Sequence, residues 1–237
     1  MILYNATSAE FINDVISSKL TKKIENSFEM RWGYKPNQSE VYSWENSLPK
    51  IRDILQLAQI TDAHIVIEYE VPYCQHRIDC MIFGKDIDQN ENILIVELKQ
   101  WSDVTSKEET KQTTISQNSD EANLVETYVG GSIRDVPHPS EQIKNYENYL
   151  KCFVSEFHNE KPIQLTSIAY CHNYKRINDS GLFAHIYKDL ISKYPVFCRD
   201  DVSELIDLFK NKFSGGKGLE VYQRFVASTV QPSKKTT

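Results

Sequence analysis

The sequence predicts an α/β protein whose elements run helix, three strands, helix, strand. Three observations predict it. Short, β-branched apolar runs recur at His64–Val71, Ile78–Gly84 and Ile93–Leu98, with polar or turn-forming residues between them. Apolar residues at helical spacing flank that trio on both sides, over 39–58 and 139–157. A further β run, Gln164–Cys171, follows the second helix. A strand reached through a helix suits a parallel crossover, so the sheet is expected to be mixed.

In chain order, residues 7–30 read as one helix, capped by Thr7 or Ser8, with Phe11, Val15, Ile16 and Leu20 at helical spacing. Gly33 and Pro36 punctuate a loop. Ser39 is expected to cap the next helix, which carries Val41, Trp44, Leu48, Ile51, Leu55 and Ala58 on one face. Pro49 is expected to kink or divide it. Glu40 lies in its first turn, where a carboxylate suits the helix dipole. In the His64–Val71 strand, Ile65, Ile67, Tyr69 and Val71 alternate with Val66, Glu68 and Glu70. That pattern puts Glu68 and Glu70 towards solvent. Pro72 ends the strand, and residues 73–77 turn into the next.

The second strand carries Asp79. The third ends in Glu97 and Lys99, which point the same way because strand side chains alternate faces. Burying a carboxylate and an amine there is costly without pairing or a metal. Residues 85–92 are polar and turn-forming, as in a hairpin connection. Such pairing brings Asp79 near Glu97. Two carboxylates and a lysine suit a divalent cation with an activated water.

Beyond Lys99, residues 100–123 are almost devoid of apolar residues. The stretch 102–122 reads as a mobile insertion, either a substrate-gripping arm or a plain surface loop. Residues 124–136 regain β character, with Gly130-Gly131 as the turn of a hairpin. A helix starts at Pro139 or Ser140 and places Gln142 and Tyr146 on one face. His138 before it reads as a loop or capping histidine. Asp200 or Asp201 caps a helix to Phe213. Ser214–Gly218 does not meet the phosphate-loop spacing and reads as a helix end and turn. A last helix, about 219–228, precedes the polar tail 231–237.

Hydrophobic residues make up 40% and charged residues 25%, ordinary for a globular protein, and residues 1–230 are expected to form one domain. No apolar run is long enough to span a bilayer. The start of the chain lacks the features of a signal peptide. Five cysteines are scattered without a CxxC pair, which argues for a reducing, cytoplasmic setting. The net charge of −6 argues against a non-specific nucleic-acid coat. It is compatible with acids gathered at a metal site.

Asp79 followed by Glu97-Leu98-Lys99 resembles the Asp…Glu-x-Lys signature of the PD-(D/E)XK, or restriction-endonuclease-like, nuclease superfamily. Ile78 stands where a proline often precedes the aspartate. The resemblance implies a three-layer α/β/α sandwich with an αβββαβ core and a mixed central sheet. It implies a metal-dependent nuclease acting on DNA or RNA and leaving a 5′-phosphate. Mg²⁺, with Mn²⁺ able to substitute, would be held by Asp79, Glu97, the Leu98 carbonyl and Glu40. Lys99 would orient or deprotonate water and neutralise transition-state charge, and Gln142 would position water or phosphate. Tyr146, His138 and Arg77 are the candidate substrate contacts.

Several phrases together are similar to a narrower family. They are Glu40-Val-Tyr-Ser-Trp44, Arg77-Ile-Asp79, Val96-Glu97-Leu98-Lys99-Gln100-Trp101, His138-Pro139-Ser140-Glu141-Gln142 with Tyr146, and Pro232-Ser-Lys-Lys235. This resembles the N-terminal nuclease-like domain of bacterial DUF2075 proteins, which precedes a Schlafen-like helicase or ATPase domain. The implied partners are nucleic acid, such a C-terminal domain reached through the tail, and a second copy of the chain; no membrane is implied. An alternative class is a catalytically silent nucleic-acid-binding or regulatory module of a motor. A third reading makes Glu97 and Lys99 a structural ion pair.

Overall fold

The apolar runs become strands of two sheets. The computed structural model describes residues 1–72, 76–107 and 123–230. Its strands are β1 (Ile2–Thr7), β2 (His64–Glu70), β3 (Arg77–Lys85), β4 (Glu91–Lys99), β5 (Val104–Ser106), β6 (Leu124–Val129), β7 (Ser132–Pro137), β8 (Gln164–Cys171) and β9 (Val196–Cys198). Six of them form the central sheet in the order β1-β2-β3-β4-β8-β9. Pairing is antiparallel from β1 to β4 and parallel from β4 through β8 to β9. The sheet is therefore mixed, with the parallel half reached through a helix. The small sheet β5-β6-β7 stands beside it.

Helices cover both faces. On one lie α1 (Ser8–Ile16), α2 (Leu20–Trp32) and α3 (Gln38–Leu57). They bury Phe11, Ile24, Phe28, Trp44, Leu48, Ile51 and Leu55 against Ile65, Ile67, Ile82, Leu94 and Val96. On the other lies α4 (Pro139–Phe153), whose Tyr146 and Leu150 pack on Met81, Phe83, Ile93 and Ile95. After α5 (Lys188–Lys193), α6 (Val202–Phe213) joins the first layer and α7 (Gly218–Ala227) the second. The result is a three-layer α/β sandwich. The expected order α-β-β-β-α-β runs from α3 to β8. Each fully buried aliphatic side chain contributes about 1.5–3 kcal/mol to this core.

Several elements differ from the sequence reading, each for a local reason. Residues 2–7 form an edge strand, and the expected helix over 7–30 is two helices broken at Ser17–Lys19, where Ser18 has φ +56°. Thr7 caps α1 in a capping box with Glu10. Asn37, rather than Ser39, caps α3; its side chain accepts from the Glu40 amide while the Glu40 carboxylate accepts from the Asn37 amide. Helix α3 continues through Pro49 as one element. Part of the expected loop after Lys99, Val104–Ser106, is a strand held by β6. Residues 108–122, the turn residues 73–75 and the tail 231–237 lie outside the described residues. The Gly130-Gly131 hairpin forms as expected, with φ +60° and +87° at the two glycines. No helix among the described residues is long and apolar enough to cross a membrane.

Candidate active site

The candidate site forms where the central sheet loses its regularity. The β2–β3 register sets Ile67 opposite Cys80 and Tyr69 opposite Ile78, and so Glu68 opposite Asp79. Glu68 has φ +56°, a left-handed conformation that a non-glycine residue in a strand rarely adopts. It shifts the phase of the strand. Ile65 and Ile67 pack in the core under α3, but Tyr69, two residues on, packs in the core under α4. Strand β3 shows the same switch, with Cys80 and Ile82 in the first core and Ile78 in the second. The β3–β4 ladder ends at Cys80–Val96. Had it continued, Asp79 would lie opposite Glu97.

Ending the ladder there frees backbone donors. The Leu98 amide donates to Asp79 Oδ2 at 2.7 Å. Asp79 and Glu97 thus come from neighbouring strands, as the hairpin predicted. Lys99 Nζ donates to Glu97 Oε1 at 2.6 Å, and Gln142 Nε2 donates to the same oxygen at 2.7 Å. Gln142 also donates to the Tyr146 hydroxyl at 2.7 Å, and that hydroxyl donates to the Arg77 carbonyl. Pro139 at the start of α4 and His138 as its N-cap fix this helix over the sheet. Glu97 is only 2% exposed, and its Oε2 has no hydrogen-bond partner among the described residues.

The electrostatics follow from burial. Burial, then the negative charges of Glu97 and Glu68, push the Asp79 carboxyl well above its ordinary range; Lys99 and the Leu98 amide oppose this. Burial works to lower the Lys99 ammonium, but Glu97 and Asp79 outweigh it and hold the group above the usual lysine value. Lys99 also lies 5.3 Å from the centre of the Trp101 ring. Burial, followed by the Glu97 charge, raises the Tyr146 phenol.

Four of the expected residues, Asp79, Glu97, Lys99 and Gln142, therefore form one connected group, with Tyr146 behind them. Others stand apart. Glu40 Oε1 accepts from Arg77 Nη2, and Arg77 Nε faces Glu68 Oε2 at 3.3 Å. Arg77 is flanked by the rings of Phe28 and Trp32 at 5.7 and 5.6 Å, and its Nη1 is buried without a partner among the described residues. His138 does not reach a substrate surface. It is fully buried; Nδ1 accepts from the Ser140 amide, Nε2 meets the Leu182 carbonyl, and burial lowers its pKa to about 4. Its work is capping and packing.

Glu68 is the residue the sequence reading missed. Alternation sent it to solvent, yet it is 9% exposed and accepts from Trp44 Nε1 at 2.8 Å. Burial raises its pKa, opposed by Arg77 and the Trp44 hydrogen bond and reinforced by Glu40 and Glu97. A glutamate beside Trp44 and Arg77 was visible in the sequence only as three separate residues. Among the described residues, no three His, Cys, Asp or Glu side chains gather closely enough to hold a metal between them.

A cleft of about 480 Å³ opens over Leu98 and Lys99. The first turns of α3, at Ser39 and Ser43, form one wall, and the β6–β7 hairpin, at Thr127–Gly130, forms the other. No family model, no curated protein and no solved structure matches the chain.

Proposed function

We propose that this chain is a metal-dependent nuclease domain of the PD-(D/E)XK kind, hydrolysing phosphodiester bonds of DNA or RNA. One observation carries the reading. Asp79 and Glu97 sit on neighbouring strands where their ladder gives way, and Glu97 Oε2, beside the Lys99 ammonium, is buried and unpartnered among the described residues. A buried acceptor without a donor costs about 1–3 kcal/mol. A hard cation is a partner that removes this cost. Two carboxylates are too few for a closed protein cage. They suit Mg²⁺, which keeps several waters and takes one or two carboxylates plus substrate phosphate oxygens.

Asp79 and Glu97 would hold the cation, with the Leu98 carbonyl as a further oxygen; Glu40 would join only on leaving Arg77. When bound, such an ion supplies a Lewis acid that makes an attacking water more acidic and screens the scissile phosphate. Lys99 orients that water and offsets charge building on the phosphate. Gln142, already donating to Glu97, fixes the carboxylate and has a side-chain carbonyl left for water. Work alongside a fused helicase or ATPase in the cytoplasm belongs to the same proposal and rests on the narrower sequence resemblance.

The test is cleavage of labelled DNA and RNA, single- and double-stranded, with Mg²⁺, Mn²⁺ or EDTA, by wild type and Glu97→Gln. Cutting that needs the metal and is lost in the variant is expected. Equal cutting by both proteins, or cutting in EDTA, would overturn the reading. Tight binding without cutting would favour a silent binding module instead.

A further inference from the structure

The walls of the cleft differ in chemistry. Tyr128 lines one wall and is 68% exposed. Directly across the hairpin from it stands Ile133, 72% exposed. Two large side chains therefore sit opposite one another at a hairpin tip, both largely exposed among the described residues. The hairpin beneath them is firmly based. Val125 and Ser106 are fully buried, Thr127 Oγ1 donates to the Asp103 carbonyl at 2.7 Å, and Tyr187 Oη donates to the Leu124 carbonyl at 2.5 Å. The Tyr128 ring is thus presented from a fixed platform. The facing wall and floor carry polar groups, Ser39, Ser43, Gln100, Ser102 and Lys99, with Leu98 and the Trp101 ring among them. Asp103 is the one acid of the lining, and Ser102 Oγ donates to it at 3.2 Å.

We infer that this cleft takes a single nucleic-acid strand, with one base laid on the Tyr128 ring and the sugar–phosphate chain along the Ser39, Ser43 and Lys99 side. This rests on the nuclease reading of the site whose Leu98 and Lys99 line the cleft. An aromatic ring exposed to this extent is a stacking platform for any base. A closed duplex keeps its base faces inside the stack and offers none to Tyr128. The preferred substrate is therefore single-stranded or locally opened. Lys99 is the only cation among the described residues of the lining, so stacking rather than phosphate neutralisation supplies most of the affinity. The logarithm of the binding constant should then fall with that of the salt concentration with a slope no steeper than about −1, since each neutralised phosphate of a single strand contributes about −0.7.

The experiment is fluorescence anisotropy in EDTA, with dye-labelled single-stranded DNA, single-stranded RNA and a blunt duplex of the same sequence. The proteins are wild type, Tyr128→Ala and Tyr128→Phe. At least one single strand should bind about tenfold or more tighter than the duplex. Tyr128→Ala should weaken that binding about tenfold, near the lower end of base–aromatic stacking, while Tyr128→Phe keeps wild-type affinity. Comparing the DNA and RNA arms names the sugar. Equal affinity for duplex and single strands, no change in Tyr128→Ala, a steep salt dependence or no binding to any strand would overturn the inference. Because binding is read without metal, the two claims separate. Cleavage indifferent to Tyr128 would leave the nuclease and remove the strand cleft. Tyr128-dependent binding without cleavage would do the reverse.

Discussion

Glu97 and Glu156 are equally buried, each 2% exposed, yet their surroundings differ. Glu156 accepts four hydrogen bonds: from Arg224 Nη2 and the Ile163 amide at Oε1, and from Arg224 Nε and Asn159 Nδ2 at Oε2. Both of its oxygens are satisfied, and it ties α7 to the chain before β8. Glu97 crowds Lys99 and Gln142 onto one oxygen and leaves the other without a partner among the described residues. Its neighbour Asp79 is held above its ordinary pKa by burial and by two nearby negative charges. A fold that can fully satisfy a buried carboxylate at Glu156 has left one incomplete at Glu97. Incomplete satisfaction, more than burial, is what singles out the Glu97 cluster as the candidate site.

Substitutions should break the comparison in opposite directions. The largest effect is on activity. Glu97→Gln should lower metal-dependent cleavage by about a hundredfold or more while leaving the circular dichroism spectrum unchanged. Glu156→Gln should do the opposite, sparing cleavage but costing about 2 kcal/mol in a denaturant titration. That figure sits below the usual cost of breaking a buried pair because Arg224 is 35% exposed and keeps Glu91.

Asp79→Asn gives a smaller effect of unusual sign. The folded protein binds the Asp79 proton more tightly than the unfolded chain does. Wild-type stability therefore falls as pH rises from the ordinary carboxylate range through the raised value. The asparagine variant escapes that loss. Its melting temperature should exceed wild type by a few degrees at neutral pH, about 1 kcal/mol, and the gain should vanish below about pH 4. A variant less stable than wild type at every pH would mean that the acids are a structural pair. The smallest effect is the rise on adding Mg²⁺: about a degree at a concentration equal to its dissociation constant, present in wild type and Glu156→Gln and absent in Glu97→Gln.

Much of this was legible in the sequence where the signal is local. The β3 and β4 runs, the hairpin between them, and the i, i+4 spacing of Gln142 and Tyr146 placed Asp79, Glu97, Lys99 and Gln142 before any coordinates. The edge strand β1 was not legible, because Asn5 and Thr7 interrupt its apolar pattern and the helix that follows hides its end. Glu68 was misread for a deeper reason. Alternation assumes extended backbone throughout, and the left-handed φ at Glu68 breaks that assumption in mid-strand. The Arg77 network was hidden because its partners, Glu40, Glu68, Phe28 and Trp32, are brought together only by packing.

The central claim is that Glu97 keeps an oxygen bare for a divalent cation. Isothermal titration of Mn²⁺ into wild type, Glu97→Gln and Glu156→Gln tests it without any substrate. Saturable binding by wild type and Glu156→Gln, lost or weakened at least about tenfold in Glu97→Gln, is the predicted result. Equal binding by all three proteins, or none by wild type, would contradict the account.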